Sequence, residues 1–183
     1  GGKSMPNQNT GSIPNRYEIK GDVTKLFLYG GYYCVIDTSD FEKVGKLHWF
    51  AKKMDNTFYV WNNSYHPNGK KKTVQMHRII NKTPIGMITD HINHNGLDNR
   101  KCNLRTATNT QSAINRRRYN PSGYVGVHIA KYKDSKYYQV AICLHGKIKR
   151  IGSFKDAVTA AYAYDKEAKI LHGSFARLNF PTE

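Results

Sequence analysis

Turn-forming residues interrupt this chain so often that only one long helix fits into it. Gly30-Gly31, Asn68-Gly69, Asn120-Pro121-Ser122-Gly123 and His145-Gly146 leave short apolar runs between them, because Gly and Pro favour or forbid particular backbone conformations. The runs Lys25 to Tyr29, Tyr32 to Ile36, Phe58 to Trp61 and Thr73 to Ile79 are aromatic or β-branched. They are expected as strands, and Asn68-Gly69 suits a hairpin. Phe41, Val44 and Leu47 recur at helical spacing, which predicts a short helix within Asp40 to Trp49. The pattern changes character after Asp156, where Ala157, Ala160, Ala161, Tyr164, Ala168 and Leu171 share one helical face up to His172. Gly173 then supplies the stop.

Tyr119 to Gly123 holds turn formers and no core residue, which places a linker at 119–123. Beyond it, Tyr124 to Ile129, Tyr137 to Leu144 and Ile148 to Phe154 predict a three-stranded antiparallel sheet packed on the one amphipathic helix. Alternation turns Val140, Ile142 and Leu144 toward that helix and leaves Gln139, Ala141 and Cys143 outward. Upstream of the linker, Thr108-Asn109-Thr110-Gln111 has capping-box chemistry, so a helix is expected to begin there and run to Arg116-Arg117-Arg118. The expected organisation is α+β. A polar arm covers 1–16, whose Gly1-Gly2-Lys3-Ser4 ahead of Met5 has the character of a tag remnant. A strand-rich region with a functional core covers 17–118, and a second domain covers 124–183. The arm is too poor in apolar residues to offset the entropy of ordering.

The formal net charge is +16, and between Arg100 and Glu183 sixteen Lys and Arg face five Asp and Glu, a net of +11. Such an excess points to a polyanion, because Lys and Arg displace counterions condensed on a phosphate backbone. Charge alone does not separate DNA from RNA or a membrane surface. No run approaches the roughly 20 apolar residues that span a bilayer, and no charged-then-apolar leader is seen. The expectation is a soluble, intracellular protein. Cys34, Cys102 and Cys143 are odd in number and scattered, which suggests neither a disulfide framework nor a zinc ribbon.

The chemistry concentrates in Asp90-His91-Ile92-Asn93-His94-Asn95-Gly96-Leu97-Asp98-Asn99, followed by Asn103-Leu104-Arg105. Cleaving a phosphodiester requires a water nucleophile, a base for its proton, and positive charge on the developing phosphorane and leaving oxygen. One Asp, one His and one divalent cation can supply these. Asp90 and His91 are adjacent at the end of an expected strand from Met87 to Thr89, so their side chains leave the backbone on opposite sides.

These residues, from about Thr73 to Arg118, resemble the HNH nuclease family in its phage and intron-homing branch. The pattern D-H-x-N-x-N-x-x-D-N, then N-L-R and a T-x-x-Q helix, carries the likeness. The resemblance implies a ββα-metal core and a DNA endonuclease leaving 5′-phosphate and 3′-hydroxyl ends. Asp90 would be a metal ligand, His91 the general base, and Asn103 the residue that braces the loop and orients the histidine. Asn95, Asp98 and Asn99 would fix the loop through side-chain to backbone bonds. The implied cofactor is one divalent ion, Mg²⁺ with Mn²⁺ as a substitute, and no small-molecule cofactor.

One position departs from the family pattern. Nine residues after Asn103, where a His or Asn usually supplies the second metal ligand, stands Ser112. A hydroxyl is a poor ligand for a hard cation. Ser112 ligates weakly or through water, a neighbour such as Asn109 or Gln111 substitutes, or the metal site is impaired. The rival function is accordingly a sequence-specific DNA-binding protein with little or no catalysis.

The second domain is similar to the ethylene-response-factor (APETALA-type) DNA-binding domain. The likeness rests on Ser122 to Val127, Tyr137-Tyr138, Gly146-Lys147, Ile151 to Phe154, Ala160 to Asp165 and Leu171 to Gly173. It implies a sheet laid in the major groove of double-stranded DNA. Gln139, His128 and Arg150 are then candidates for that face, with Lys131, Lys133 and Lys147 near phosphates. In the nuclease half the candidates are Arg78, Arg105 and Arg116-Arg117-Arg118. His77 reads as packing or catalysis and His94 as a loop residue or DNA contact. Trp49, Trp61 and the tyrosines of the final helix read as core. Monomer and dimer both remain open, in the cytoplasm of an infected or intron-bearing cell.

Overall fold

The computed structural model describes residues 15–181 apart from 55, 66–67, 117–118 and 145. The chain divides into two compact units, one ending at Ala107 and one beginning at Thr108. The expected arm at 1–16 lies mostly outside the described residues. Its last part is tied down: Asn15 Nδ2 donates to the carbonyls of Phe27 and Trp49, both at 2.9 Å, and its Oδ1 accepts from the Trp49 amide.

In the first unit β1 (Tyr17–Lys20), β2 (Val23–Phe27) and β3 (Tyr33–Asp37) form one antiparallel sheet in that order. Alternation buries Thr24 and Leu26 on β2 and Cys34 and Ile36 on β3. A short helix α1 (Phe41–Val44) follows, one turn inside the expected span of Asp40 to Trp49. Trp49 lies beyond the helix and is fully buried, its Nε1 donating to the Val44 carbonyl at 2.9 Å. Next come β4 (Phe50–Met54), β5 (Thr57–Tyr65) and β6 (Lys71–Gln75), a second antiparallel sheet with β5 central.

The run from Thr73 to Ile79 is not one strand. It breaks after Gln75 into helix α2 (Met76–Ile80): Met76, His77 and Ile80 are all buried, and strand alternation would send the neighbours Met76 and His77 to opposite faces, whereas one helical turn carries all three inward. The pair β7 (Ile88–His91) and β8 (Leu104–Ala107) closes the unit, antiparallel, with Asp90 opposite Arg105 and His91 opposite Leu104. Asp90 and His91 thus lie inside the strand. The common core holds Leu26, Ile36, Val44, Trp49, Val60, Met76 and Leu104.

The second unit opens with α3 (Asn109–Asn115), whose capping box is complete: Gln111 N donates to Thr108 Oγ1 and Thr108 N to Gln111 Oε1. The helix runs up to the arginine triplet, ending at Asn115 with Arg116 as its C-cap. The division between units falls ahead of α3, whereas the expected linker lies after it. Arg177, near the C-terminal end, donates to the Arg116 carbonyl at 3.0 Å and joins the end of α3 to the second unit.

Three antiparallel strands follow, β9 (Val127–Tyr132), β10 (Ser135–Leu144) and β11 (Lys147–Phe154), with β10 central, then α4 (Ala157–His172). The first strand starts three residues later than its apolar run. Gly126 sits at φ +69, where any Cβ would overlap the Tyr164 ring, so the chain turns there. Val140 and Ile142 are buried under α4, against Ala160, Ala161 and Ala168, whose small side chains let helix and sheet approach closely. Asp156 caps α4 by accepting from Thr159 N at 2.7 Å, and Gly173 ends it at φ +53. Buried Asp165 accepts from the amides of Asn179 and Phe180, both at 2.8 Å, which clasps the final segment to the helix. Of the two helix tyrosines, Tyr164 is core, whereas Tyr162 is 58% exposed and stacks on Phe180. Among the described residues no helix is long and apolar enough to cross a membrane.

Candidate functional site

Asp90 and His91 stand on β7 as neighbours, and both are buried. Cross-strand pairing brings Arg105 to Asp90: its Nε and Nη2 reach Oδ2 at 2.9 and 2.8 Å. The carboxylate is therefore oriented by a charge-assisted contact from its own sheet. His91 Nε2 lies 3.2 Å from Asn99 Oδ1. The Asn99 amide nitrogen faces the Gly96 carbonyl, so the oxygen is the atom turned to the imidazole. An accepting oxygen requires Nε2 to carry the proton, which leaves the lone pair on Nδ1.

The loop between these residues is held at many points. Asn103 Oδ1 accepts from Asn93 N at 2.9 Å, and its Nδ2 donates to the Asp98 carbonyl at 2.8 Å. Asn93 and Asn95 each accept from the amide two residues on, at 2.8 and 3.1 Å. Asp98 receives Arg100 through Nε and Nη2, both at 2.8 Å, and Asn93 Nδ2 at 3.0 Å. Arg100 accordingly holds the Asp98 carboxyl below its ordinary range. Two strands clamp the same loop. Val35 of β3 exchanges backbone bonds with Leu97 and Asn99, at 2.9 and 2.8 Å. Gly96 N donates to Thr57 Oγ1 on β5 at 3.1 Å. A Cβ on Gly96 would overlap the Phe58 carbonyl and come within 2.8 Å of the Tyr59 ring, so only glycine allows this approach.

Burial lowers the His91 pKa below 6.5, against the upward pull of Asn99, Asp90 and Asp98. The imidazole is neutral at neutral pH. His77, on α2, is pushed down further, to about 3, by burial and by the proximity of His91 and Arg78.

The structure brings together some sequence candidates and separates others. Asp90, His91, Asn103 and Arg105 belong to one constellation in the first unit. Arg78 donates to the carbonyls of Met87 and Pro84, at 2.9 and 3.3 Å, so its guanidinium braces the approach to β7. Ser112 is half-buried on α3, in the second unit, with Asn109 exposed and Asn115 buried on the same helix. Arg116 is exposed there, and Arg117 and Arg118 lie outside the described residues. On the second sheet Gln139 pairs with His128 and Ala141 with Arg150, so these four share the face away from α4. His128, Lys131, Lys133, Gln139, Lys147 and Arg150 are all exposed. Exposed Ile148, opposite Cys143 on that face, was not among the candidates. Nor were two further features near His91. Asn99, expected only as a loop brace, is its direct partner, and Tyr59 of β5 flanks it from a strand whose sequence carries no sign of the site.

Among the described residues no three His, Cys, Asp or Glu side chains gather into a cage for a metal. Asp90 offers a single carboxylate. Magnesium commonly takes one or two carboxylates and completes its shell with substrate phosphate and water. The donor set therefore fits an ion whose shell is completed by phosphate and water.

Comparison with known proteins gives one informative likeness. The chain is 27% identical over 155 residues to an uncharacterized HNH endonuclease of Acanthamoeba polyphaga mimivirus, covering 81% of this chain and 75% of that protein. No family model and no solved structure matches the chain.

Proposed function

We propose that the protein is a divalent-metal-dependent DNA endonuclease of the HNH type, in which His91 is the general base. The observation that carries this reading is the His91–Asn99 pair beside the Asp90–Arg105 pair: a buried imidazole whose Nε2 faces an amide oxygen, next to an oriented carboxylate. His91 would take the proton of the attacking water through Nδ1, a nitrogen that is buried in the structure and has to be opened to that water, while Asn99 holds the opposite nitrogen and supports the imidazolium that forms. Asn103 keeps the loop, and with it Asn99, in place. Asp90 would hold the metal, with Ser112 as the proposed second ligand from the sequence likeness. Bound there, the ion would supply Lewis-acid charge stabilisation at the scissile phosphate and leaving 3′-oxygen. The order β7, β8, α3 along the chain is the order a ββα-metal core needs. The relative's name supports the same class of activity.

The second unit fits the role of DNA reader. His128, Gln139 and Arg150 on one exposed sheet face match the donors and acceptors of base edges, and Lys131, Lys133 and Lys147 suit phosphates. Double-stranded DNA is the proposed substrate.

Nicking of supercoiled plasmid by the wild type and His91→Ala, in Mg²⁺, Mn²⁺ and EDTA, tests the reading. The expected result is cleavage by the wild type in metal, none in EDTA, and loss of at least a hundredfold in His91→Ala. Tight DNA binding without metal-dependent cleavage would favour the DNA-binding rival, to which Ser112 in the second ligand position lends weight.

A further inference from the structure

Tyr59 on β5, His77 on α2 and His91 on β7 close on one another as three rings. The two imidazole centroids are 5.0 Å apart, and Tyr59 lies 5.6 Å from each. The imidazole planes cross at 80°, and the Tyr59 ring meets His91 at 60°. His77 and His91 are 4% and 5% exposed. These separations and angles are those at which ring pairs attract through their quadrupoles.

The Asn99 contact alone does not fix the His91 ring. One hydrogen bond to Nε2 pins a single atom, while the ring torsion of histidine is broad. Rotation about that torsion exchanges Nδ1 with a carbon. A base needs its lone pair aimed, so a second constraint on the ring plane is required. Two flanking rings on separate elements provide it. Their mounts are rigid: α2 is anchored by buried Met76 and Ile80, and Tyr59 packs against Gly96 of the loop itself. His77 Nδ1 is buried and has no hydrogen-bond partner among the described residues. The flat ring, rather than a polar bond from that nitrogen, is what His77 offers its neighbour.

We infer that His77 is a positioning residue which, with Tyr59, fixes the plane of the His91 ring so that the Asn99 bond selects one tautomer. This role rests on the reading of His91 as general base, but its structural half stands apart from activity. A phenyl ring replaces His77 in this role, and a branched aliphatic chain does not.

His77→Phe and His77→Leu are compared in two assays. In metal-free protein, long-range ¹H–¹⁵N correlation spectra report the His91 tautomer. The wild type and His77→Phe are expected to show the Nε2–H form, and His77→Leu an average of both forms. In plasmid cleavage, His77→Leu is expected to lose at least tenfold in kcat with KM within twofold, while His77→Phe stays within threefold in both. Retention of a single tautomer and full kcat in His77→Leu overturns the inference, as does a His77→Phe protein as impaired as His77→Leu. If His77→Leu does not fold, Tyr59→Leu makes the same test from the other wall. Should the wild type cleave no DNA, the general-base reading fails, and the spectra still decide whether His77 positions the ring.

Discussion

Acid should destabilise the first unit, and His77 should account for a measurable part of the loss. Its pKa is 6.5 when unperturbed and about 3 in the fold. The unfolded chain therefore takes up a proton at a pH where the native state still refuses it. Stability is fully present above the unfolded value and falls as pH drops toward the folded one, by up to about 1.4 kcal/mol per pH unit for a single group. From about pH 7 to about pH 4.5 the integrated loss from His77 is about 2 to 3 kcal/mol. The His77→Phe variant lacks this contribution and keeps a ring in the same place. Urea unfolding followed by tryptophan fluorescence isolates the unit, because both tryptophans, Trp49 and Trp61, lie in it. With urea slopes of about 1 to 3 kcal/mol per molar, the wild-type midpoint should fall about 1 to 2 M further than that of His77→Phe over this pH interval. Identical pH dependence in the two proteins would refute the assignment of a neutral, buried imidazole.

Three other perturbations probe the site and its supports. Asn99→Leu removes the acceptor on His91 Nε2 and should lower cleavage about tenfold to a hundredfold, read as kcat on plasmid; an unchanged kcat would show that Asn99 is only a loop brace. The pH profile of kcat should have an acid limb with its midpoint below 6.5, since burial lowers the His91 pKa and the base must be deprotonated to act; a midpoint above 6.5 contradicts the site as drawn. Asn179→Ala removes the side chain that accepts from Val125 N at 2.6 Å and donates to Asp165 at 3.0 Å. It should destabilise the second unit by about 2 to 3 kcal/mol, seen as a shift in far-UV circular dichroism melting larger than the shift in tryptophan fluorescence.

The parts of this fold legible in the sequence are those decided by neighbours along the chain. The Thr108–Gln111 capping box, the Asp156 to Gly173 limits of α4 and the alternation of Val140 and Ile142 all depend on contacts within a few residues or on a single period. The polar loop from Asp90 to Asn103 was legible for the same reason, since Asn93, Asn95 and Asp98 bond within it. What the sequence hid depends on tertiary burial. Met76-His77-Arg78-Ile79-Ile80 continues a strand-like run, and only the shared core decides that it turns helical. Helix α1 stops at Val44, and Trp49, five residues on, is buried with its Nε1 bonded back to the Val44 carbonyl. The environment of His91 was the least legible feature, because Tyr59 and His77 reach it from two other elements and neither spacing reveals it.

The distribution of these contacts bears on how such a site tolerates change. Asp90 is oriented from β8, His91 from the loop and from two flanking rings, and the loop from β3 and β5. Each constraint is modest, but they converge from separate elements, so loss of one leaves the others in place. Gly96 is the exception, since it lies where the loop, β5 and the Tyr59 ring all meet. An added methyl group there has no space on either side, and relief requires the loop to lift away from β5. Overpacking of this kind costs about 1 to 3 kcal/mol. The lifted loop would carry Asn99 with it and release the hydrogen-bonded restraint on His91, and the added carbon would press on the Tyr59 ring, one of the two that flank the imidazole. Gly96→Ala should therefore cost more activity than Asn99→Leu while leaving the residues that touch substrate unaltered. Equal activity of Gly96→Ala and the wild type in plasmid nicking would mean that the loop, and not β5, gives way without consequence for the base.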